Sequence, residues 1–174
     1  MKRGMKIGIV FLAFTLLWGS GLAFSEPCES THRLFIIERN KNGNRIQYDV
    51  CVNANSDLVG LDPVKAYWVL ESGEKEKLNF IETRYAYGIL SQERLGTNRF
   101  AISLVALKGR EIIIEKIEDR FRAVLPIRGT QSFLERVYVD AEEKWTGLPK
   151  VQYVDLFGWT ALTYTPVEER ITVK

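Results

Sequence analysis

The sequence predicts a mainly β domain, an antiparallel sandwich or barrel of about eight strands with one short helix near residues 75–85. Three observations carry that expectation. Most segments are short, rich in β-branched and aromatic residues, and separated by Gly, Asn, Asp or Pro. Asn42-Gly43 stands between two apolar-polar alternating runs, which is a hairpin signature. Only one stretch abandons the two-residue period for a helical one. With 174 residues, 46% of them apolar and 26% charged, the composition is globular and excludes a disordered tail, a collagen-like repeat and a coiled coil.

The first 25 residues read as an export signal. Lys2, Arg3 and Lys6 precede an apolar run from Ile7 to Trp18, followed by small residues up to Ser25. Cleavage is expected after Ser25, with Ala23 as the alternative, leaving residues 26–174 as a single β-rich domain. The apolar run is shorter than the ~20 residues of a bilayer span, so membrane contact is expected only through this segment before cleavage. Ser25-Glu26-Pro27 before Cys28 does not make a lipobox. Loss of the three cations takes the formal charge from +2 to −1, which removes the basic footprint that nucleic acid would require. In the oxidising compartment implied by export, Cys28 and Cys51, the only cysteines, are expected to pair in a structural disulfide.

Taken in order, the first element is the hairpin. Pairing outward from an Asn42-Gly43 turn sets Arg39 opposite Ile46, Ile37 opposite Tyr48 and Phe35 opposite Val50, an apolar face with one arginine on it. That phase requires Arg39 to find a partner or reach the rim, and makes it a candidate anion anchor. Further strands are expected at Lys65–Leu70, Arg99–Leu107, Glu111–Ile117, Arg120–Ile127, Phe133–Val139, Val151–Phe157 and Val167–Val173. A tight connection through Glu118-Asp119 would place Glu115 across from Arg122. Leu78, Ile81, Tyr85 and Ile89 have helical spacing and predict the helix at Lys75–Tyr85 with those residues inward.

Several chemistries lack their residues. There is no GxGxxG, no Walker A loop and no GxSxG elbow. His32 is the only histidine, and the cysteines have no CxxC spacing, so neither a metal site nor a cofactor is expected. Adjacent acids Glu142-Glu143 and Glu168-Glu169 would point to opposite faces of a strand and read as solvated rather than as a catalytic pair. Tyr67, Trp68, Tyr85, Tyr87, Trp145, Trp159 and Tyr164 could fill a core or stack on a ligand. The hairpin tip, Arg39 to Arg45, concentrates cations and amides suited to phosphate, carboxylate or sugar hydroxyls.

The runs Leu34-Phe35-Ile36-Ile37-Glu38-Arg39-Asn40-Lys41-Asn42-Gly43-Asn44, Tyr48-Asp49, Tyr67-Trp68-Val69, Ala86-Tyr87-Gly88 and Val151-Gln152-Tyr153-Val154-Asp155-Leu156-Phe157-Gly158 together resemble a bacterial family of exported proteins, domain of unknown function 4833. The resemblance runs from about Arg33 to Arg170 and implies a single exported domain with no assigned activity. It directs attention to Arg39, Asn40, Lys41, Asn44 and Tyr87 as candidate ligand-binding residues, with no catalytic residue carried over. The expectation is a non-catalytic envelope or periplasmic module for an anionic or sugar-like ligand. The alternatives are an assembly protein engaging another envelope protein and, behind it, an enzyme built on carboxylates and arginine.

Overall fold

The computed structural model describes residues 28–143 and 149–172. The expected export signal at 1–25, its cleavage site and Trp145 lie outside them. Among the described residues are eleven strands: β1 (Ser30–Arg39), β2 (Arg45–Val52), β3 (Val64–Val69), β4 (Lys75–Lys77), β5 (Ile89–Gly96), β6 (Arg99–Leu104), β7 (Glu111–Ile117), β8 (Arg120–Ile127), β9 (Thr130–Glu143), β10 (Pro149–Thr160) and β11 (Pro166–Thr172). Between β4 and β5 lies one short helix, α1 (Phe80–Glu82), which continues as a π-turn at Thr83–Tyr87.

All the strands belong to one sheet, and β9 organises it. On one edge β9 pairs with β8 through Thr130–Phe133 and then, farther along, in parallel with β1 through Arg136–Val139. On its other edge it carries β10, which carries β11. Because β1 and β8 share one edge of the same strand, the sheet divides into two arms, β1-β2-β3-β4 and β8-β7-β6-β5, and curls into a half-barrel. Phe35, Ile37, Ile46, Tyr48 and Val50 of the first arm and Phe100, Ile102, Ile112, Ile114 and Leu125 of the second enter one continuous, fully buried core. Burying side chains of this size is worth about 1.5–3 kcal/mol each, the main term holding the arms together.

Polar side chains tie the arms where no strand pairing joins them. The Gln92 carboxamide accepts the Val64 N–H at 3.0 Å and donates to the Val64 carbonyl at 3.1 Å, substituting for a neighbouring strand's peptide group. Asn98 accepts the Leu58 N–H at 3.0 Å, and Arg94 donates to the Gly60 carbonyl at 2.8 Å. Cys28 and Cys51 form the expected disulfide, with Cα atoms 5.3 Å apart, and the adjacent Glu29 N–H donates to the Val52 carbonyl.

Three local expectations need correction. The first hairpin has a five-residue connection, Asn40–Asn44, and its ladder runs Glu38 to Arg45, Ile37 to Ile46 and Phe35 to Tyr48. Neither Asn42 nor Gly43 adopts the positive φ of a type I′ turn. Instead the Gly43 N–H donates to Glu71 at 2.6 Å and Asn44 accepts the Glu71 N–H at 3.0 Å, so the tip is tied to the β3–β4 connection. From Phe35 to Glu38 the register moves by two residues, which preserves the faces, and Arg39 stays with the apolar set; beyond a bulge at Leu34 the ladder slips by one more residue, so that His32 pairs with Val50.

The helix starts later than its periodicity implies, because Lys75–Lys77 pairs with Tyr67–Val69 as an edge strand. Ile81 and Tyr85 are exposed, and Tyr87 turns inward in their place because the π-turn adds a residue to the repeat. Glu169 is not a solvated acid: it pairs with Arg110 and accepts the Arg128 N–H at 2.8 Å. The Glu115–Arg122 pairing is observed, with Glu118 at φ 55° in the turn.

Candidate functional site

Arg39 ends β1 on the core-facing side. Its guanidinium lies 4.8 Å from the centre of the Trp68 ring and 5.9 Å from that of Tyr87, and the two rings meet edge to face at 5.6 Å. Trp68 reaches this place because β3 pairs it with Ile46, next to Ile37 in the hairpin ladder. Tyr87 reaches it through the π-turn, whose carbonyl end is fastened by the Tyr48 hydroxyl donating to the Tyr87 carbonyl at 2.5 Å. Tyr48 is in turn stacked on Phe35, with ring centres 4.5 Å apart. The aromatic surround is therefore continuous with the buried core rather than draped over it.

Gly88 makes the π-turn possible. Its φ of −68° is open to any residue, but a Cβ there would sit 1.8 Å from the Thr83 carbonyl oxygen. Close approach, not an unusual backbone angle, requires glycine at this position. On the other side of Trp68, Asn79 and Glu82 form a reciprocal capping box. One Glu82 oxygen accepts both the Asn79 N–H at 2.9 Å and the Trp68 indole N–H at 3.1 Å. Helix start and indole orientation thus share a single carboxylate.

The arrangement has a definite electrostatic character. Burial raises the Tyr87 hydroxyl above the ordinary tyrosine pKa, and Arg39 beside it pulls in the opposite direction. The Nε of Arg39 is buried without a hydrogen-bond partner among the described residues, facing aromatic surroundings. No carboxylate of a described residue forms a salt bridge with Arg39. By contrast, Arg99 is paired with Glu115, Arg110 with Glu169, Arg136 with Glu38 and Arg170 with Asp155.

Of the sequence-derived candidates, Arg39 and Tyr87 come together. Asn40 donates to Asp140 at 3.2 Å and Asn44 binds the Glu71 backbone, so both hold the loop in place. Lys41 is exposed at the tip. Sequence reasoning missed Glu82 and Asn79, although Asn-x-x-Glu before a helical segment is a capping signature. It included Trp68 as one aromatic among seven and within the Tyr67-Trp68-Val69 run of the family resemblance, without a role. Of the carboxylates on which an enzyme reading would rest, Asp49 stands apart and accepts from Tyr67 and Gln47, while Asp155 and Glu38 flank Tyr138 on neighbouring strands and are each neutralised by an arginine, Asp155 by two 2.7 Å bonds from Arg170 and Glu38 by Arg136. A cleft of about 530 Å³ between β7–β8 and β11 lies away from Arg39, and its charged groups Arg110 and Glu169 satisfy each other.

Comparison with known proteins finds a family model. Residues 35–170 match the family model described as Domain of unknown function (DUF4833). The chain belongs to this family. Arg39, Trp68, Glu82 and Tyr87 all fall within the matched span. No curated protein and no solved structure matches the chain.

Proposed function

We propose that this DUF4833 protein is an exported, non-catalytic binding module that takes an anionic group at Arg39. One observation carries the reading. The guanidinium is held between two aromatic rings at the end of the half-barrel and, unlike four other arginines of the chain, has no carboxylate of a described residue for a partner. An arginine oriented by ring faces, with no carboxylate partner among the described residues, keeps the donors it does not share with the Tyr87 hydroxyl for a planar or tetrahedral oxyanion. The order of basic, apolar and small residues in 1–25, together with the disulfide, supports export. The β11 edge begins with Pro166 and carries Glu168, Glu169 and Arg170, features that discourage strand addition there.

The test is calorimetric titration with inorganic phosphate and with succinate, using the parent protein, Arg39→Met and Lys41→Ala. Loss of a charge-assisted bond of about 1.5–3 kcal/mol corresponds to an affinity loss of roughly 10- to 100-fold in Arg39→Met. Lys41→Ala, at the exposed tip, is expected to change affinity little. Equal affinity of parent and Arg39→Met, with both folded by circular dichroism, would refute the assignment.

A further inference from the structure

An unbroken ladder turns consecutive side chains to opposite faces, and at one point β9 departs from that rule. Phe157 pairs with Arg136, yet the next residue, Gly158, pairs with Leu134, which leaves Glu135 as the extra residue of a bulge. Bulges re-aim side chains. Here Glu135 and Arg136, adjacent in sequence, line the same cleft of about 340 Å³. Gly158 opposite them admits no side chain, since a Cβ would lie 2.2 Å from the Phe133 carbonyl oxygen.

The other walls of the cleft suit a particular ligand chemistry. Trp159 keeps 38% of its surface exposed at the rim, and Glu168 of β11 faces the cleft near it. Arg136 lies 3.9 Å over the Phe157 ring and donates to Glu38 at 3.2 Å, which fixes the plane of its guanidinium. Glu135 makes no hydrogen bond to a described residue. The cleft therefore presents an aromatic surface, two carboxylate acceptors and an oriented guanidinium donor, with no excess of positive charge for a phosphate.

We propose that this cleft is a carbohydrate subsite, separate from Arg39. Sugar hydroxyls both donate and accept, so a single neutral ring can use Glu135, Glu168 and Arg136 at once. The apolar C–H face of a pyranose matches the exposed Trp159 ring, and an open cleft of this kind suits one face of a sugar rather than an enclosed ligand. A cationic side chain is the competing occupant, drawn by the two carboxylates and the indole. Arg136 disfavours it by placing a like charge in the same cleft.

Indole fluorescence and calorimetry with maltotriose, cellotriose, mannotriose and chitotriose, with tetralysine as the cationic probe, decide between the two. The expected result is millimolar or tighter binding of at least one trisaccharide with a change in indole emission. That binding is expected to be abolished in Trp159→Ala, partly kept in Trp159→Phe, and weakened by about tenfold in Glu135→Gln, the size of one hydrogen bond to a charged group. Arg39→Met is expected to leave it unchanged, which keeps this subsite distinguishable from the anion site. Should Trp159→Ala fail to fold, the surface substitution Glu135→Gln carries the decision. The proposal is overturned if no trisaccharide binds, if binding is the same in Glu135→Gln as in the parent, or if tetralysine alone engages the cleft.

Discussion

Reducing the Cys28–Cys51 disulfide perturbs a constraint whose magnitude follows from its place in the chain. The two residues are 23 apart and enclose β1, the connection after it and β2 as far as Cys51. Chain-entropy arguments for a loop of that length give about 3 kcal/mol, acting through the unfolded state. The native state loses little, because Cys51 remains held by its N–H to the Pro63 carbonyl and by its carbonyl accepting from Val59, and Glu29 by its N–H to Val52. For a domain of about 150 residues, at about 3 °C per kcal/mol, the melting temperature is expected to fall by about 10 °C. Calorimetric scans with and without a phosphine reductant, together with the Cys28→Ala/Cys51→Ala double variant, measure this, and far-ultraviolet dichroism at room temperature is expected not to change. If reduction released only the Glu29 amide to hydrogen exchange and left the melting temperature within about 2 °C, the cross-link would merely pin the terminal arm, and the loop-entropy reasoning would be wrong.

Two other expectations concern the backbone and acid stability. Gly88→Ala forces a Cβ onto the Thr83 carbonyl, so it should unwind the π-turn, destabilise the fold by about 1–3 kcal/mol and weaken phosphate or succinate binding by displacing Tyr87. An unchanged urea midpoint and unchanged affinity would show that the turn has room to relax. Arg170 holds the Asp155 carboxyl below the usual carboxylate range, and Arg110 does the same for Glu169. Folded-state values below the unfolded ones mean that both groups stabilise the fold fully above the unfolded carboxylate range of about 4, and that this contribution is lost as pH falls through the folded values. Urea midpoints across the acid range should therefore drop more steeply for the parent than for Asp155→Asn or Glu169→Gln, and parallel profiles would contradict the linkage.

Whatever depends on near neighbours was legible along the chain. Alternation in Phe35–Arg39 and Ile46–Val50 sets which side chains face the core, and it does so even though the connection is wider than a two-residue turn, because a two-residue slip leaves the faces unchanged. Glu111–Ile117 and Arg120–Ile127 were legible as strands with their register, since their connection is short. An even cysteine pair behind an export-like segment was enough to expect the disulfide. β5 was not legible: its polar, largely exposed residues carry no period, and it is a strand only because β6 pairs with it.

Tertiary structure alone decided the parallel pairing of β1 with β9, which joins residues about a hundred positions apart and makes a split half-barrel of what local pattern describes as antiparallel strands. It also decided the site. Arg39 was readable as a charge in need of a partner, but its partner proved to be two aromatic rings delivered by β3 and by a π-turn whose geometry depends on contacts with Thr83 and Tyr48. Likewise, the bulge at Glu135 exists only in the ladder with β10, where Gly158 lets two backbones approach closely. Periodicity and turn chemistry act over a few residues and can be read along the chain, whereas the meeting of distant side chains depends on how the arms close on their shared core.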